Sequence, residues 1–331
     1  MMTDRIRWGF LATGWMAEMF AEGMSVVPDA EIAAVGSRAL ETADAFGDRF
    51  EVPRRYGSYA ELVADPGIDI VYVSSPHTFH REHTLLALEA GKPVLCEKPF
   101  ALNAVEAGEM IAAARSRKLF LMEAMWARFI PGMIKVREWL AAGAIGEVRM
   151  LDAEFGFRAR FDPTQRLFNP HLGGGSLLDI GIYTLAFSSM VLGPHPDRVE
   201  ALAEMGRTGV DDQAAVLLGY SGGQIAVLRS AVRTTFEGRA RIHGTEGMIT
   251  LDPPFHRTER VTLESGGRSE SYEFPLRRNG YEFEAEAVNG YLRAGKLESD
   301  AIPLDETLAL VRLMDRIRDV WGLKYPAERS S

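Results

Sequence analysis

The sequence predicts an α/β protein in two parts. The first is a doubly wound parallel sheet, and the second is an α/β half with an open-faced, mainly antiparallel sheet. Three observations predict this. Strand-like runs alternate with helical patterns through the first third of the chain, which implies a parallel sheet covered by helices. The run Ile70-Val71-Tyr72-Val73 is continuously apolar, as a strand buried on both faces must be. From Arg198 to Phe274 the pattern becomes alternating strand punctuated by glycine turns.

In chain order, strands are expected at Ile6–Ala12, Glu31–Gly36, Ile68–Ser74, Pro93–Cys96 and Leu119–Glu123. Helices are expected between them at Met16–Val26, Leu40–Phe50 and Glu82–Ala90, the last stopped by Gly91. Asn103 is a good cap for a helix running to Lys118. After about residue 125 come a helix (Gly132–Ala142), a strand (Glu147–Phe157) and a helical segment (Ser176–Leu192). Ser221-Gly222-Gly223 and Gly244-Thr245-Glu246-Gly247 are plausible hairpin centres. A final helix starts near Asp305 and places Leu310, Leu313, Met314 and Ile317 on one side. The division is expected at residues 1–125 and 126–331.

The 331 residues are 47% hydrophobic and 25% charged, ordinary for a globular protein. A net charge of −9 without a basic block argues against a general nucleic-acid or membrane-surface binder. The single cysteine, Cys96, excludes an intrachain disulfide and reads as a buried reduced thiol, which points to the cytoplasm. No run approaches the roughly 20 apolar residues of a membrane span, and the N-terminus reads as a strand rather than a signal peptide.

The first strand turns into the first helix through Ala12-Thr13-Gly14-Trp15-Met16-Ala17. Read as G-x-G-x-x-G/A, Ala12 replaces the first glycine, Gly14 keeps the second, and Ala17 fills the third. Gly14 lets a pyrophosphate approach the backbone at a helix N-terminus. The second strand ends in Ser37-Arg38, where an NAD-preferring site carries Asp or Glu for the ribose hydroxyl. A guanidinium binds a 2′-phosphate that a carboxylate would repel, so NADP(H) is expected over NAD(H); the alternative is a solvated loop arginine.

Lys98 ends the apolar run Val94–Cys96 in Glu97-Lys98-Pro99. A lysine at the mouth of a buried strand is a candidate for chemistry, and the bland alternative is a surface Glu97–Lys98 salt bridge. Asp179 and Tyr183 lie four apart in a helical segment and share a face. Ser176 can cap that helix, which would make Asp179 a capping-box acid. Tyr183 can equally be a core aromatic with a bonded hydroxyl. Gly181 inside the helix costs about 1 kcal/mol against Ala, so something is expected to approach closely there.

With Gly14, Ser37-Arg38, Ser75-Pro76-His77 and Glu97-Lys98-Pro99, the chain resembles the glucose–fructose oxidoreductase / inositol dehydrogenase (Gfo/Idh/MocA) family. Met122–Phe129 and Gly173-Gly174-Gly175-Ser176-Leu177-Leu178-Asp179-Ile180-Gly181-Ile182-Tyr183 resemble its dimeric dihydrodiol dehydrogenase / D-xylose dehydrogenase branch. The resemblance covers nearly the whole chain. It implies an N-terminal Rossmann domain for the cofactor, a C-terminal substrate and oligomerisation domain, and hydride transfer between nicotinamide and a carbinol carbon. It implies cofactor contacts from Ala12, Thr13, Gly14, Trp15, Met16, Ser37, Arg38, Ser75, Pro76, His77, His80, Glu97 and Lys98. It places Asp179 and Tyr183 at the substrate, with Lys98 as the third catalytic residue.

A phenol with a pKa of about 10 is a weak base at neutral pH, and a nearby ammonium lowers that pKa. Tyr183 is therefore assigned as proton donor and acceptor. Lys98 is its electrostatic partner, and Asp179 orients a substrate hydroxyl or Lys98; which of Lys98 and Tyr183 moves the proton stays open. Trp126 and Phe155 are expected to line an apolar pocket, whereas Phe129 reads as core. Arg158, Arg160 and Arg166 precede Gly173 in a loop, solvated or gating the pocket. His77, His80 and His83 have a spacing that invites a metal, but the family's chemistry needs none, and no metal is expected. The expected substrate is a sugar, a cyclic polyol or a trans-dihydrodiol, and the expected assembly a homodimer or homotetramer through the C-terminal sheet. A different class, a non-catalytic NAD(P)-sensing regulator, is possible on the same fold. A third possibility is sugar-to-sugar transfer with cofactor retained.

Overall fold

The computed structural model describes residues 5–329. The chain forms two compact units: residues up to Phe129 with Leu276–Thr307, and Ile130–Pro275 with the segment from Leu308 onward.

The first unit is built on six strands, β1 (Ile6–Leu11), β2 (Ala30–Gly36), β3 (Arg54–Tyr56), β4 (Ile70–Val73), β5 (Val94–Glu97) and β6 (Leu121–Ala124). They are all parallel, in the order β3-β2-β1-β4-β5-β6. The order reverses between β1 and β4, so their carboxyl ends open the crevice where such sheets bind ligands. Helices α1 (Trp15–Met24), α2 (Leu40–Phe50), α3 (Tyr59–Ala64), α4 (His80–Glu89) and α5 (Ala104–Arg117) connect them. All five strands and four helices expected here are present. Residues 70–73 are fully buried, as a doubly covered central strand requires. Asn103 caps α5, accepting from the Val105 and Glu106 amides at 3.0 Å each.

In the second unit, α6 (Pro131–Ala141) leads to β7 (Val148–Gly156), then to one π-helical turn, Leu177–Gly181, running into α7 (Ile182–Leu192). Strands β8 (Arg198–Met205), β9 (Asp211–Gly219), β10 (Ile225–Ala231), β11 (Ala240–Gly244), β12 (Gly247–Leu251), β13 (Arg260–Ser265) and β14 (Arg268–Glu273) complete an eight-stranded sheet. Its order is β14-β13-β12-β11-β7-β10-β9-β8, antiparallel except where β7 meets β10. The two expected hairpin centres join β9 to β10 and β11 to β12. Helix α8 (Tyr281–Arg293) belongs to the first unit, and α9 (Leu304–Trp321) closes the regular structure, beginning one residue before the expected Asp305.

One sequence expectation needs correction. The stretch Pro170–Leu192 does reach the length and mean hydropathy (1.5) of a membrane span. Its apolar window is 83% buried within the protein, so its hydrophobicity is that of a core helix.

Candidate functional site

At the carboxyl end of β1 the chain turns through Ala12, Thr13 and Gly14 into α1. Ala12 has φ = +92°, in the region that favours glycine, and its amide donates to the Gly36 carbonyl at 3.1 Å. Gly14 is the N-cap residue of α1, and no side chain caps that helix. A Cβ added at Gly14 would meet nothing within 4 Å, so the approach to α1 at this residue is open. Ala17 is fully buried, as close helix–strand packing demands, whereas Trp15 is exposed. An uncapped ten-residue helix with an open approach to its N-terminus fits the pyrophosphate of a dinucleotide.

At the end of β2, Ser37 is buried and its hydroxyl accepts from Thr42 at 2.6 Å. Arg38 is exposed, and it reaches the Tyr59 hydroxyl and the His83 imidazole closely enough to oppose positive charge on the ring. Burial and then Arg38 push His83 down to about 4. His83 also bonds the Ser75 hydroxyl at 2.8 Å and meets Tyr59 edge-on at 4.6 Å. Ser37, Arg38, Thr42 and Ser75 thus lie along the same edge of the sheet.

After β4, the Ser74 amide donates to the Leu11 carbonyl at 3.1 Å, and Ser75, Pro76 and His77 carry the chain into α4. His77 and His80 are buried, with ring centroids 5.6 Å apart. The His80 ring lies between two carbonyls, Pro99 at 2.9 Å on Nδ1 and Ser75 at 2.8 Å on Nε2. Burial pushes it down to about 4, so the ring packs between the β4 and β5 turns as a neutral imidazole whose single N–H donates to one of the two carbonyls. Among the described residues no three His, Cys, Asp or Glu side chains are grouped to hold a metal.

β5 ends at Glu97, Lys98 follows it, and the Lys98–Pro99 bond is cis. Glu97 and Lys98 are 3% and 9% exposed, which removes the surface salt-bridge reading. The Glu97 carboxylate accepts the Tyr72 hydroxyl at 2.5 Å and the Lys98 amide at 3.2 Å. Two more buried carboxyls belong to this cluster, and sequence reasoning passed over both. Glu123 accepts the Phe100 amide at 3.1 Å and the Thr307 hydroxyl at 3.2 Å, and burial pushes it up to about 7. Glu284, on α8, is fully buried; burial, then Glu97 and Glu123, raise it well above the carboxylate range. Trp126 is buried with its ring 4.6 Å from that of Tyr281, and Phe129 is buried as expected of a core residue.

In the second unit, Tyr183 is 6% exposed and sits in an aromatic group. Its ring lies 5.7 Å from Phe155 and 5.0 Å from His256, and His256 stacks on Phe155 at 4.1 Å. His256 was not singled out from the sequence, because nothing in Pro253-Pro254-Phe255-His256 marks a site. Asp179 accepts from the Arg166 guanidinium at 2.8 Å, which gives one of the loop arginines a partner; Arg158 and Arg160 are exposed.

The expected Ser176 cap is not formed. Ser176 instead donates to Asp211 at 2.7 Å, and Asp211 accepts the Leu177 amide at 2.7 Å, so the cap comes from β9. Asp179 is therefore not a capping-box acid. The close approach expected at Gly181 is real: a Cβ there would lie 3.2 Å from the Ser230 hydroxyl.

Comparison with known proteins decides the family. Residues 6–125 match the model of the oxidoreductase family with an NAD-binding Rossmann fold, and residues 133–250 match the GFO/IDH/MocA C-terminal domain. The chain belongs to the GFO/IDH/MocA oxidoreductase family. It is 37% identical to trans-1,2-dihydrobenzene-1,2-diol dehydrogenase of Mus musculus over 98% of this chain and 99% of that one. Identity to the Sus scrofa enzyme of the same name is 38%, with the same coverage. Among solved structures, it is similar to an aldose-aldose oxidoreductase from Caulobacter crescentus (TM-score 0.87, 28% identity, covering 96% of this chain and 98% of that one). It is also similar to a 3-ketoreductase from Actinomadura kijaniata in complex with NADP and TDP-benzene (TM-score 0.85, 26% identity, 96% and 98%). This member of the family is an NAD(P)-dependent dehydrogenase, and residues 6–125 carry its Rossmann fold.

Proposed function

We propose that the chain is an NADP-dependent dehydrogenase acting on the carbinol carbon of a trans-dihydrodiol, a sugar or a cyclic polyol. The observation that carries this is Lys98, buried at the carboxyl edge of the same sheet that presents Gly14 and Arg38. When bound, the nicotinamide supplies the hydride acceptor or donor. The backbone at Ala12, Thr13 and Gly14, with Trp15 and Met16, holds the pyrophosphate. Ser37, Arg38 and Thr42 take the 2′-phosphate, and Ser75, Pro76 and His77 line the ribose side with His80 fixing their turn. Tyr183 exchanges the proton of the substrate hydroxyl, and Lys98 stabilises its phenolate. Asp179, aligned by Arg166, orients a second hydroxyl. Trp126, Phe155 and His256 supply the walls, which suit sugar faces and aromatic rings alike.

The relatives named dihydrodiol dehydrogenase support the dihydrodiol as substrate class, and the aldose-aldose oxidoreductase likeness supports a sugar. An NADP reduction screen over pentoses, hexoses, inositols and aromatic trans-dihydrodiols, with Lys98→Met as control, tests the assignment. Turnover by wild type and its loss in the variant is expected; equal turnover by both would defeat it. A second reading, bound cofactor recycled between two sugars, predicts reduced-nicotinamide absorbance in the protein as purified.

The second unit's sheet supports self-association. Leu202, Leu217, Ile225 and Met150 are 80%, 47%, 39% and 42% exposed on four adjacent strands. The registers place all four on one face. Such an apolar face fits a second copy of the chain, as a homodimer or homotetramer. The buried thiol of Cys96 fits a reducing, cytoplasmic location.

A further inference from the structure

We propose that Asp211 is a positioning residue: through Ser176 and the Leu177 amide it anchors the segment that presents Asp179 and Tyr183. This rests on the catalytic assignment of those two residues above.

Asp211 is fully buried at the start of β9, remote in sequence from the segment it holds. One carboxylate oxygen, Oδ2, accepts both the Ser176 hydroxyl and the Leu177 amide at 2.7 Å. The other, Oδ1, has no hydrogen-bond partner among the described residues. It lies 2.2 Å from where a Cβ on Gly175 would stand, so the carboxylate bears directly on that backbone, which has φ = +115°. The Ser230 hydroxyl, on β10, meets Ser176 at 2.9 Å and closes on Gly181 one turn later. The Tyr325 hydroxyl donates to the Gly174 carbonyl at 2.6 Å. The segment from Gly174 to Gly181 is thus held from three separate parts of the second unit.

A carboxylate is an expensive choice for this task. Burial pushes Asp211 up to about 6 even though the Ser176 hydroxyl and the Leu177 amide favour its charged form. An asparagine carbonyl would accept the same two hydrogen bonds without burying a charge. What the carboxylate adds is stronger, shorter bonds at the positive end of a helical segment. That matters where placement matters: Tyr183 follows two turns later on the same segment, and a misplacement of about 1 Å at a reacting group can cost on the order of 100-fold in rate.

The test is Asp211→Asn in the full chain, assayed with NADP and a substrate that wild type turns over. The expected result is a fall in kcat of roughly 10- to 100-fold, with the KM for NADP within twofold and the melting temperature unchanged or higher. In a Tyr183→Phe background the same substitution should cost no further activity. Hydrogen exchange at the amides of residues 177–183 should quicken, with the Rossmann strands unaffected. Should Asp211→Asn fail to fold, Ser230→Ala trims the same network and should give a smaller fall in kcat with the same quickened exchange. Wild-type kcat and exchange in Asp211→Asn would overturn the proposal, as would a loss that multiplies with that of Tyr183→Phe. A wild type inactive on every substrate would defeat the dehydrogenase assignment instead, while the exchange measurement still reads the anchor.

Discussion

Replacing Glu123 by Gln isolates the cost of one buried carboxyl beneath the Lys98 turn. Glu123 is fully buried, and desolvation raises its pKa from 4.5 to about 7 in the folded protein. A raised carboxyl pKa means that the folded state holds the proton more tightly than the unfolded chain. The contribution is therefore fully present below pH 4.5 and is lost as pH rises to about 7. A shift of that size is worth about 3 kcal/mol at roughly 1.4 kcal/mol per unit. A glutamine there never ionises. Its carbonyl can accept from the Phe100 amide, and its amino group can donate to the Thr307 hydroxyl. The assay is urea unfolding at steps between pH 4.5 and 8, with wild type and variant compared at each pH. Asp211 is raised in the same direction and cancels in that difference, whereas Glu284, which the Glu123 charge helps to raise, is raised less in the variant and adds to its gain. The variant should gain on wild type by up to about 3 kcal/mol across the window, then run parallel above it. Parallel curves throughout would refute the account of a carboxyl buried at a cost.

Arg38→Ala should raise the KM for NADP by about 10- to 100-fold, the value of losing charge-assisted bonds worth roughly 1.5–3 kcal/mol, while the KM for NAD moves less than twofold. Equal losses for both cofactors would contradict a 2′-phosphate role. Ala12→Gly relieves a positive φ at a cost in unfolded-chain entropy, so its unfolding midpoint should rise slightly, whereas Ala12→Val should lose about 1–3 kcal/mol. The reverse order in thermal melts would show that the turn is not strained. Leu202→Asp with Leu217→Glu should shift the light-scattering mass to that of a monomer; an unchanged oligomer would place the association elsewhere.

Much of the Rossmann unit was legible because periodicity reports burial directly. Leu40–Phe50 was read with the bounds it has, and Asn103 capped the helix assigned to it. β3 escaped because Arg54-Arg55-Tyr56 is a short edge strand with no apolar run. α3 was missed although Ser58 caps it, its hydroxyl accepting the Glu61 amide at 3.2 Å and donating to the Glu61 carboxylate at 2.9 Å. In α8, Glu282, Glu284 and Glu286 look alike in sequence. Glu282 accepts three backbone amides ahead of its helix, Glu284 is buried, and Glu286 pairs with Arg277.

The residues proposed for the chemistry stand in short motifs that the sequence shows, but the groups that hold them do not. A cap supplied by Asp211, far along the chain, leaves no local spacing to detect, so Ser176 took the credit. The π turn at Leu177–Gly181 was hidden for a similar reason: Gly181 marks a close neighbour without saying that Ser230 is the neighbour or that the helix widens there.

The most direct measurement is the kcat of wild type, Lys98→Met, Tyr183→Phe and the double variant on one accepted substrate, with NADP binding followed separately. If the amine and the phenol serve a single proton transfer, each single change removes most of the turnover, the double change costs little more than either, and NADP still binds. Independent, multiplying losses, or a Tyr183→Phe enzyme with near-normal turnover, would contradict the account.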